Sequence, residues 1–474
     1  MRVDRVMLAT SNGTGMGHLT RQMAVALSLG KRADPVFFSL SRAIPVIGHY
    51  GFPGEYCPSR ERAWMPYVHW QEYLRERVRA FVEEAGVDVL VFDGVVPYNG
   101  LLRARMDLPE VRFVWMRRGF WRPGVRTTPL RSAALFDLVL EPGDLASDGD
   151  TGATAVRDDA VRLPPISLAE HVDPLPREKA AAELGLDPDR PTALVTLSSG
   201  VLNDVAGPGT AAMNALLEDP GWQIAVTRTA LTKGGVPISD PSRCVELSGV
   251  YPLVRYLAAF DAAIAAGGYN SVHELLYAAI PTLFVPNRSS GTDDQPARTR
   301  WLADNGFALF ADETELDDVR AQARRLHDSV LREELRAACG QLEPPTGSAA
   351  AAEALTGLSD APGRRSSLRQ AEVWARSTAM NVLSPRGTAL ARRALGRSAD
   401  AGPVRPLPVR LVDELNGAAA PGDREAPLVV TDRLDADLLR GDDPLEHLLA
   451  GSSDRYRAAR LAIARRYYQV NDRA

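Results

Sequence analysis

The chain has 474 residues, 45% of them hydrophobic and 24% charged, ordinary globular usage that excludes a mainly disordered or fibrous protein and suits two domains with an appendage. A formal charge of −5 supplies no global field to recruit nucleic acid or an acidic lipid surface. Cys57, Cys244 and Cys339 are widely spaced and odd in number, which fits neither a disulfide framework nor a metal cluster and points to a reducing, cytoplasmic setting.

An apolar run begins almost at once, with no long hydrophobic region or small-residue cleavage site of a signal peptide. No stretch offers roughly 18 uninterrupted apolar residues; the best, 257–266, is broken by Asp261. The expected protein is soluble or peripheral to a membrane. Strand-like runs at 6–10, 35–40, 87–92 and 112–116 alternate with helical patterns, including 19–30 and 98–105, which predicts parallel βαβ units in a doubly wound α/β domain. The pattern fades across 142–176, rich in Asp, Gly and Pro and read as a linker. It restarts with strands near 192–197, 222–227, 245–248, 262–266, 282–285 and 308–310, and helices near 210–217, 270–279 and 295–305. Beyond about Pro344 the chain turns to Ala/Gly/Ser/Arg-rich helical sequence with a Pro-containing stretch, 402–408, and a strand-like 427–431. The expected domains are 1–165, 166–345 and a mainly helical extension, 346–474.

The first strand enters Ser-Asn-Gly-Thr-Gly-Met-Gly-His, with Gly13, Gly15, Gly17 and His18 just before a helix. Glycines there allow a tight turn and close approach of a ligand, and a helix N-terminus favours negative charge. A dinucleotide fingerprint needs glycine where His18 stands, and a Walker loop needs a Lys-Ser/Thr pair that is missing. His18 is either a helix cap or a base at the carboxyl edge of the sheet. Asp93 ends a later strand, where it caps the next helix or orients that imidazole.

In the second half, Asp-Ala-Ala-Ile-Ala-Ala-Gly-Gly-Tyr-Asn-Ser-Val-His-Glu ends at Glu274, and Asp293, Asp294 and Gln295 follow the next strand. Such a turn brings Gly268, Asn270 and Ser271 to a helix N-terminus suited to phosphate. Glu274, one turn on, can accept from ribose hydroxyls, and Asp294 and Gln295 suit sugar hydroxyls. Gly268, Asn270, Ser271, Glu274, Pro281, Asp294 and Gln295 resemble, residue by residue, the donor region of the GT-B glycosyltransferases, in particular the bacterial peptidoglycan N-acetylglucosaminyltransferase and UDP-glycosyltransferase families. Plant-type members have a phosphate-binding histidine where this chain has Ala266, so the likeness is nearer the bacterial branch; His273 is no evident substitute.

The resemblance spans about residues 4–345. It implies two facing Rossmann-like domains, a nucleotide-diphosphate sugar donor (UDP favoured), and inverting transfer to an acceptor hydroxyl with His18 as base and Asp93 as its partner. Ser199 and Gly200 would reach the diphosphate through their amides. It implies no metal and no cofactor, and a lipid-linked glycan, polysaccharide or small metabolite as acceptor, with association at the cytoplasmic membrane face compatible with it. A GT-B sugar-nucleotide epimerase and an inactive scaffold subunit are the alternatives. Trp115, Arg117, Arg118, Phe120, Trp121 and Arg122 suit an acceptor side, but packed aromatics with a solvated arginine fringe is the plainer expectation. Trp64, Tyr67, Trp70 and Tyr73 have the spacing of a buried helix face. Asp435-Ala-Asp437 has too common a spacing to signify a metal site.

Overall fold

A computed structural model of the chain describes residues 3–11, 16–41, 43–60, 67–197, 204–228, 235–359, 375, 453–456, 458, 459, 462, 463 and 467. Among them, the first half forms the parallel strands β1 (Arg5–Thr10), β2 (Asp34–Ser39), β3 (Gly54–Tyr56), β4 (Val89–Asp93), β5 (Arg112–Met116), β6 (Leu138–Pro142) and β7 (Val161–Leu163). Their order is β3-β2-β1-β4-β5-β6-β7. The apolar residues of β1 and all of β4 are buried, because helices cover both faces of a parallel sheet. The helices α1 (Gly17–Leu29), α2 (Tyr67–Ala85) and α3 (Asn99–Asp107) lie between these strands in sequence.

After α4 (Arg177–Leu184) comes a second parallel sheet of β8 (Thr192–Thr196), β9 (Gln223–Arg228), β10 (Cys244–Ser248), β11 (Ala262–Ala265), β12 (Thr282–Phe284) and β13 (Leu309–Phe310). Its order is β10-β9-β8-β11-β12-β13. With it go α5 (Ala206–Leu216), α6 (Tyr269–Tyr277), α7 (Gln295–Asp304), α8 (Leu316–Arg325) and α9 (Ser329–Cys339). In both sheets the chain winds one way and then the other from the first strand. This reversal opens a crevice beside the carboxyl ends of β1 and β4, and of β8 and β11.

Three features depart from the sequence reading. The span 142–176 is not simply a linker, because β7 lies inside it. With three residues, two of them exposed, β7 is too short to register as an alternation. The segment after β2 is a 3-10 helix, Ile44–Tyr50, with Pro45 in its first turn. Finally, the residues directly after 345 return to the first domain: α10 (Gly347–Thr356) buries Ala351, Ala352 and Leu355 in one core with Leu19, Met23 and Leu29 of α1. Small side chains let the two helices approach closely. Tyr456 and Ile463 also pack there, in one core with Trp70, Tyr73 and Phe81 of α2. Trp64, the stretches 402–408 and 427–431, and Asp435-Ala-Asp437 lie outside the described residues. Among the described residues, no helix is long and apolar enough to cross a membrane.

Candidate active site between the two sheets

β1 and β4 pair in register, Thr10 opposite Asp93, so the carboxylate ends its strand beside the turn that leads to α1. His18, in the first turn of α1, places Nδ1 2.7 Å from Asp93 Oδ1. The imidazole keeps 13% of its surface while Asp93 is wholly buried. Arg21 and Gln22 complete the cluster. Arg21 Nε donates to Asp93 Oδ2 at 2.8 Å and Nη2 to Oδ1 at 2.5 Å, and Gln22 Nε2 donates to Oδ2 at 3.1 Å. Burial alone would favour the neutral acid, but the Arg21 charge and the hydrogen bonds from His18 and Arg21 outweigh it and hold the Asp93 carboxyl well below the usual carboxylate range. Because an ionised carboxylate cannot donate, the Nδ1 proton lies on the ring, and the other nitrogen, Nε2, is left as the acceptor. Sequence reasoning missed Arg21 and Gln22. Their spacing of three and four residues from His18 is the available signal, since it puts all of them on one helix face.

The second domain presents the start of α6 to the same place. Gly268 is its N-cap, and Asn270 Nδ2 donates to the Gly17 carbonyl at 3.3 Å, so the two helix N-termini meet across the crevice. A Cβ on Gly17 would meet no described atom within 4 Å, whereas one on Gly267 would lie 2.5 Å from Thr299 Cγ2. Packing against α7 therefore requires glycine at 267. Ser271 and Glu274 are half-buried on α6. Among the described residues Glu274 has no cation beside it, and burial pushes its carboxyl up to about 7. His273 turns away from the crevice: Nδ1 donates to the Tyr269 carbonyl at 2.6 Å, and Nε2 accepts from the Leu145 amide at 3.2 Å. Asp294 caps α7 by accepting from the Ala297 amide at 3.2 Å, while Gln295 bonds the Asn287 amide and Asp293. Gly13, Gly15, Ser199 and Gly200 lie outside the described residues.

Buried charges join the two halves. Arg298 of α7 donates to Asp144 at 2.7 Å, to Asp293 at 2.9 Å and to the Gly267 carbonyl at 3.0 Å. Its guanidinium also lies 4.8 Å from the Phe120 ring centroid. Burial opposes its charge, but Asp144 and Asp293 outweigh that and hold the guanidinium more firmly protonated than usual. The segment after β5 pairs with the one before α7: the Arg122 amide donates to the Thr292 carbonyl at 2.7 Å, and the Asp294 amide to the Phe120 carbonyl at 3.1 Å. This corrects the expectation of a solvated arginine fringe. Arg117 is wholly buried against Glu141 and Asp159, and Arg118 reaches Asp293 at 3.4 Å. Carboxylates from later segments, far away in sequence, draw these arginines inward. Trp115, Phe120 and Trp121 are core residues, as are Trp70 and Tyr73, while the Tyr67 hydroxyl accepts from Asn99 Nδ2 at 3.2 Å.

No protein-family model matches the chain. A 148-residue segment is 33% identical to the UDP-N-acetylglucosamine–N-acetylmuramyl-(pentapeptide) pyrophosphoryl-undecaprenol N-acetylglucosamine transferase of a Nocardioides species, covering 30% of this chain and 39% of that protein. A 171-residue segment is 29% identical to the enzyme of the same name from Cutibacterium acnes, covering 35% and 46%. The chain thus spans less than half the length of these curated relatives. Among solved structures, the spinosyn forosaminyltransferase superposes with a TM-score of 0.52 at 15% identity over 75% of this chain and 100% of that one. The glycosyltransferase of kitacinnamycin gives 0.50 at 16% identity over 75% and 98%. The chain has the GT-B fold and resembles the GT-B glycosyltransferases, the peptidoglycan N-acetylglucosaminyltransferases among them.

Proposed function

We propose that the chain transfers a hexose or N-acetylhexosamine from a nucleotide-diphosphate sugar, UDP favoured, to an acceptor hydroxyl with inversion and without a metal ion. The observation that carries this reading is the meeting of the His18–Asp93 pair with the start of α6 across the crevice. His18 Nε2 takes the acceptor proton as the acceptor oxygen attacks the anomeric carbon from the face opposite the diphosphate, and Asp93 steadies the imidazolium. Negative charge on the departing diphosphate is stabilised by the N-terminus of α6 around Asn270 and Ser271, together with the amides of Ser199 and Gly200. Glu274 accepts from the ribose, and Asp294 and Gln295 bind the donor sugar. The acceptor is a lipid-linked glycan, a polysaccharide or a small metabolite, met on the cytoplasmic side.

The test is a calorimetric and thermal-shift panel of UDP, TDP and GDP with their sugar conjugates, in chelator, on wild type and Glu274→Ala. Metal-free binding of UDP is expected, weakened about 10- to 100-fold in the variant by loss of hydrogen bonds to a charged group. Binding of none of these nucleotides would overturn the transferase reading in favour of a scaffold. Conversion of the donor sugar without an acceptor would turn it into an epimerase.

A further inference from the structure

Asp93 does not serve His18 alone. Oδ1 is shared between His18 Nδ1 at 2.7 Å and Arg21 Nη2 at 2.5 Å, and Oδ2 between Arg21 Nε at 2.8 Å and Gln22 Nε2 at 3.1 Å. Arg21 Nη2 also lies 3.3 Å from His18 Nδ1 itself. Because Nδ1 keeps its proton and donates it in a hydrogen bond to Asp93, it has no lone pair for Arg21, so this approach sets a permanent cation against the ring. Arg21 keeps only 3% of its surface, and water screens such a charge little. Its guanidinium is further fixed 5.2 Å from the Tyr269 ring centroid across the domain boundary.

We infer that Arg21 is a positioning residue for the proposed transfer: it locks Asp93 in the orientation that selects the His18 tautomer and sets a permanent cation beside the ring that takes the acceptor proton. This deepens the functional reading above and rests on it. A carboxylate beside a histidine, acting alone, stabilises the imidazolium and so withholds the base at neutral pH; a cation touching both partners opposes that. Among the described residues, the other groups acting on Arg21 and Asp93 include Tyr269 and His273 from α6, Asp293 before α7, and Arg118 after β5. Arg118 is turned to Asp293, and Tyr269 donates its hydroxyl proton to the Gly143 carbonyl at 2.9 Å. Among the described residues, Arg21 is thus the cation in contact with both members of the pair.

The decisive readout is the imidazole itself. In protein carrying 15N-labelled histidine, His18 is assigned among the seven histidines from the signal missing in His18→Gln, and then titrated in wild type, Arg21→Met and Arg21→Lys. The midpoint for His18 is expected to rise by about one pH unit or more in Arg21→Met, and by less in Arg21→Lys, which keeps the charge without the fork. The acid limb of nucleotide release from the donor should move up with it, lowering kcat below that limb more than it alters KM. An unchanged midpoint in Arg21→Met would overturn the inference and leave Arg21 a packing residue. If the methionine variant does not fold, Arg21→Gln, which also removes the cation, is titrated in its place, and an unmoved midpoint there has the same meaning. The titration needs no turnover, so it tests the role of Arg21 even if the transferase reading fails.

Discussion

In the first domain the carboxylate of Asp93 is buried and bonded by His18, Arg21 and Gln22, whereas in the second the half-buried Glu274 has neither hydrogen bond nor ion pair with the described residues. Their carboxyl groups move in opposite directions: the Arg21 cation and the hydrogen bonds around it outweigh burial and lower Asp93, while burial raises Glu274 to about 7. The difference teaches that the two walls of the crevice suit different work. Under the proposed transfer, the first carries the proton-transfer group, with its partners supplied within the fold. The second offers acceptor oxygens with spare capacity, as a site for a ligand rich in hydroxyls requires.

The largest effect should come from breaking the first wall. His18→Gln is expected to slow nucleotide release from the donor by about 10²- to 10⁴-fold, the usual worth of general-base catalysis, while calorimetry finds nucleotide affinity within about twofold of wild type. Activity within a few-fold of wild type would remove His18 from the chemistry; lost affinity would erase the division of labour.

Arg298→Met tests what holds the walls together. It leaves Asp144 and Asp293 buried without their main cation, and urea denaturation should record a loss of about 3–5 kcal/mol. A loss below about 1 kcal/mol would mean that these carboxylates find other partners when the walls part.

A smaller effect comes from Glu274. Its folded-state value of about 7 lies above the ordinary 4.5, so the native state binds more protons between those values. Stability attributable to this group is therefore present at low pH, falls as pH rises from about 4.5 to about 7, and is fully lost above, at a cost of about 3 kcal/mol at most. Glu274→Gln abolishes that slope: its stability relative to wild type in urea should grow between pH 5 and pH 8. Parallel curves would show that water reaches the carboxyl freely and would weaken the contrast with Asp93.

Much of this arrangement was legible in the order of residues. The apolar runs of β1, β4, β8 and β11 bury on both faces and need little context to be read as parallel strands, and strand-to-helix turns placed His18, Gly268, Asn270 and Glu274 at sheet edges. What was less legible is what depends on partners far away in sequence. β7 is too short for a pattern, and α10 joins α1 from more than three hundred residues away. Arg117 looks solvent-bound until Glu141 and Asp159 are brought to it, and Arg298 until Asp144 arrives from the other domain.

The sequence alone determined the two doubly wound units, the glycine turns and the side chains available at their edges, because local periodicity and turn chemistry act over a few residues. Tertiary structure decided which of those side chains share charge. It set Arg21 against both Asp93 and His18, turned His273 into an interdomain tether, and left Glu274 without a cation among the described residues. Coulomb and hydrogen-bond energies depend on distances of a few ångströms, which only the packing of the two sheets sets.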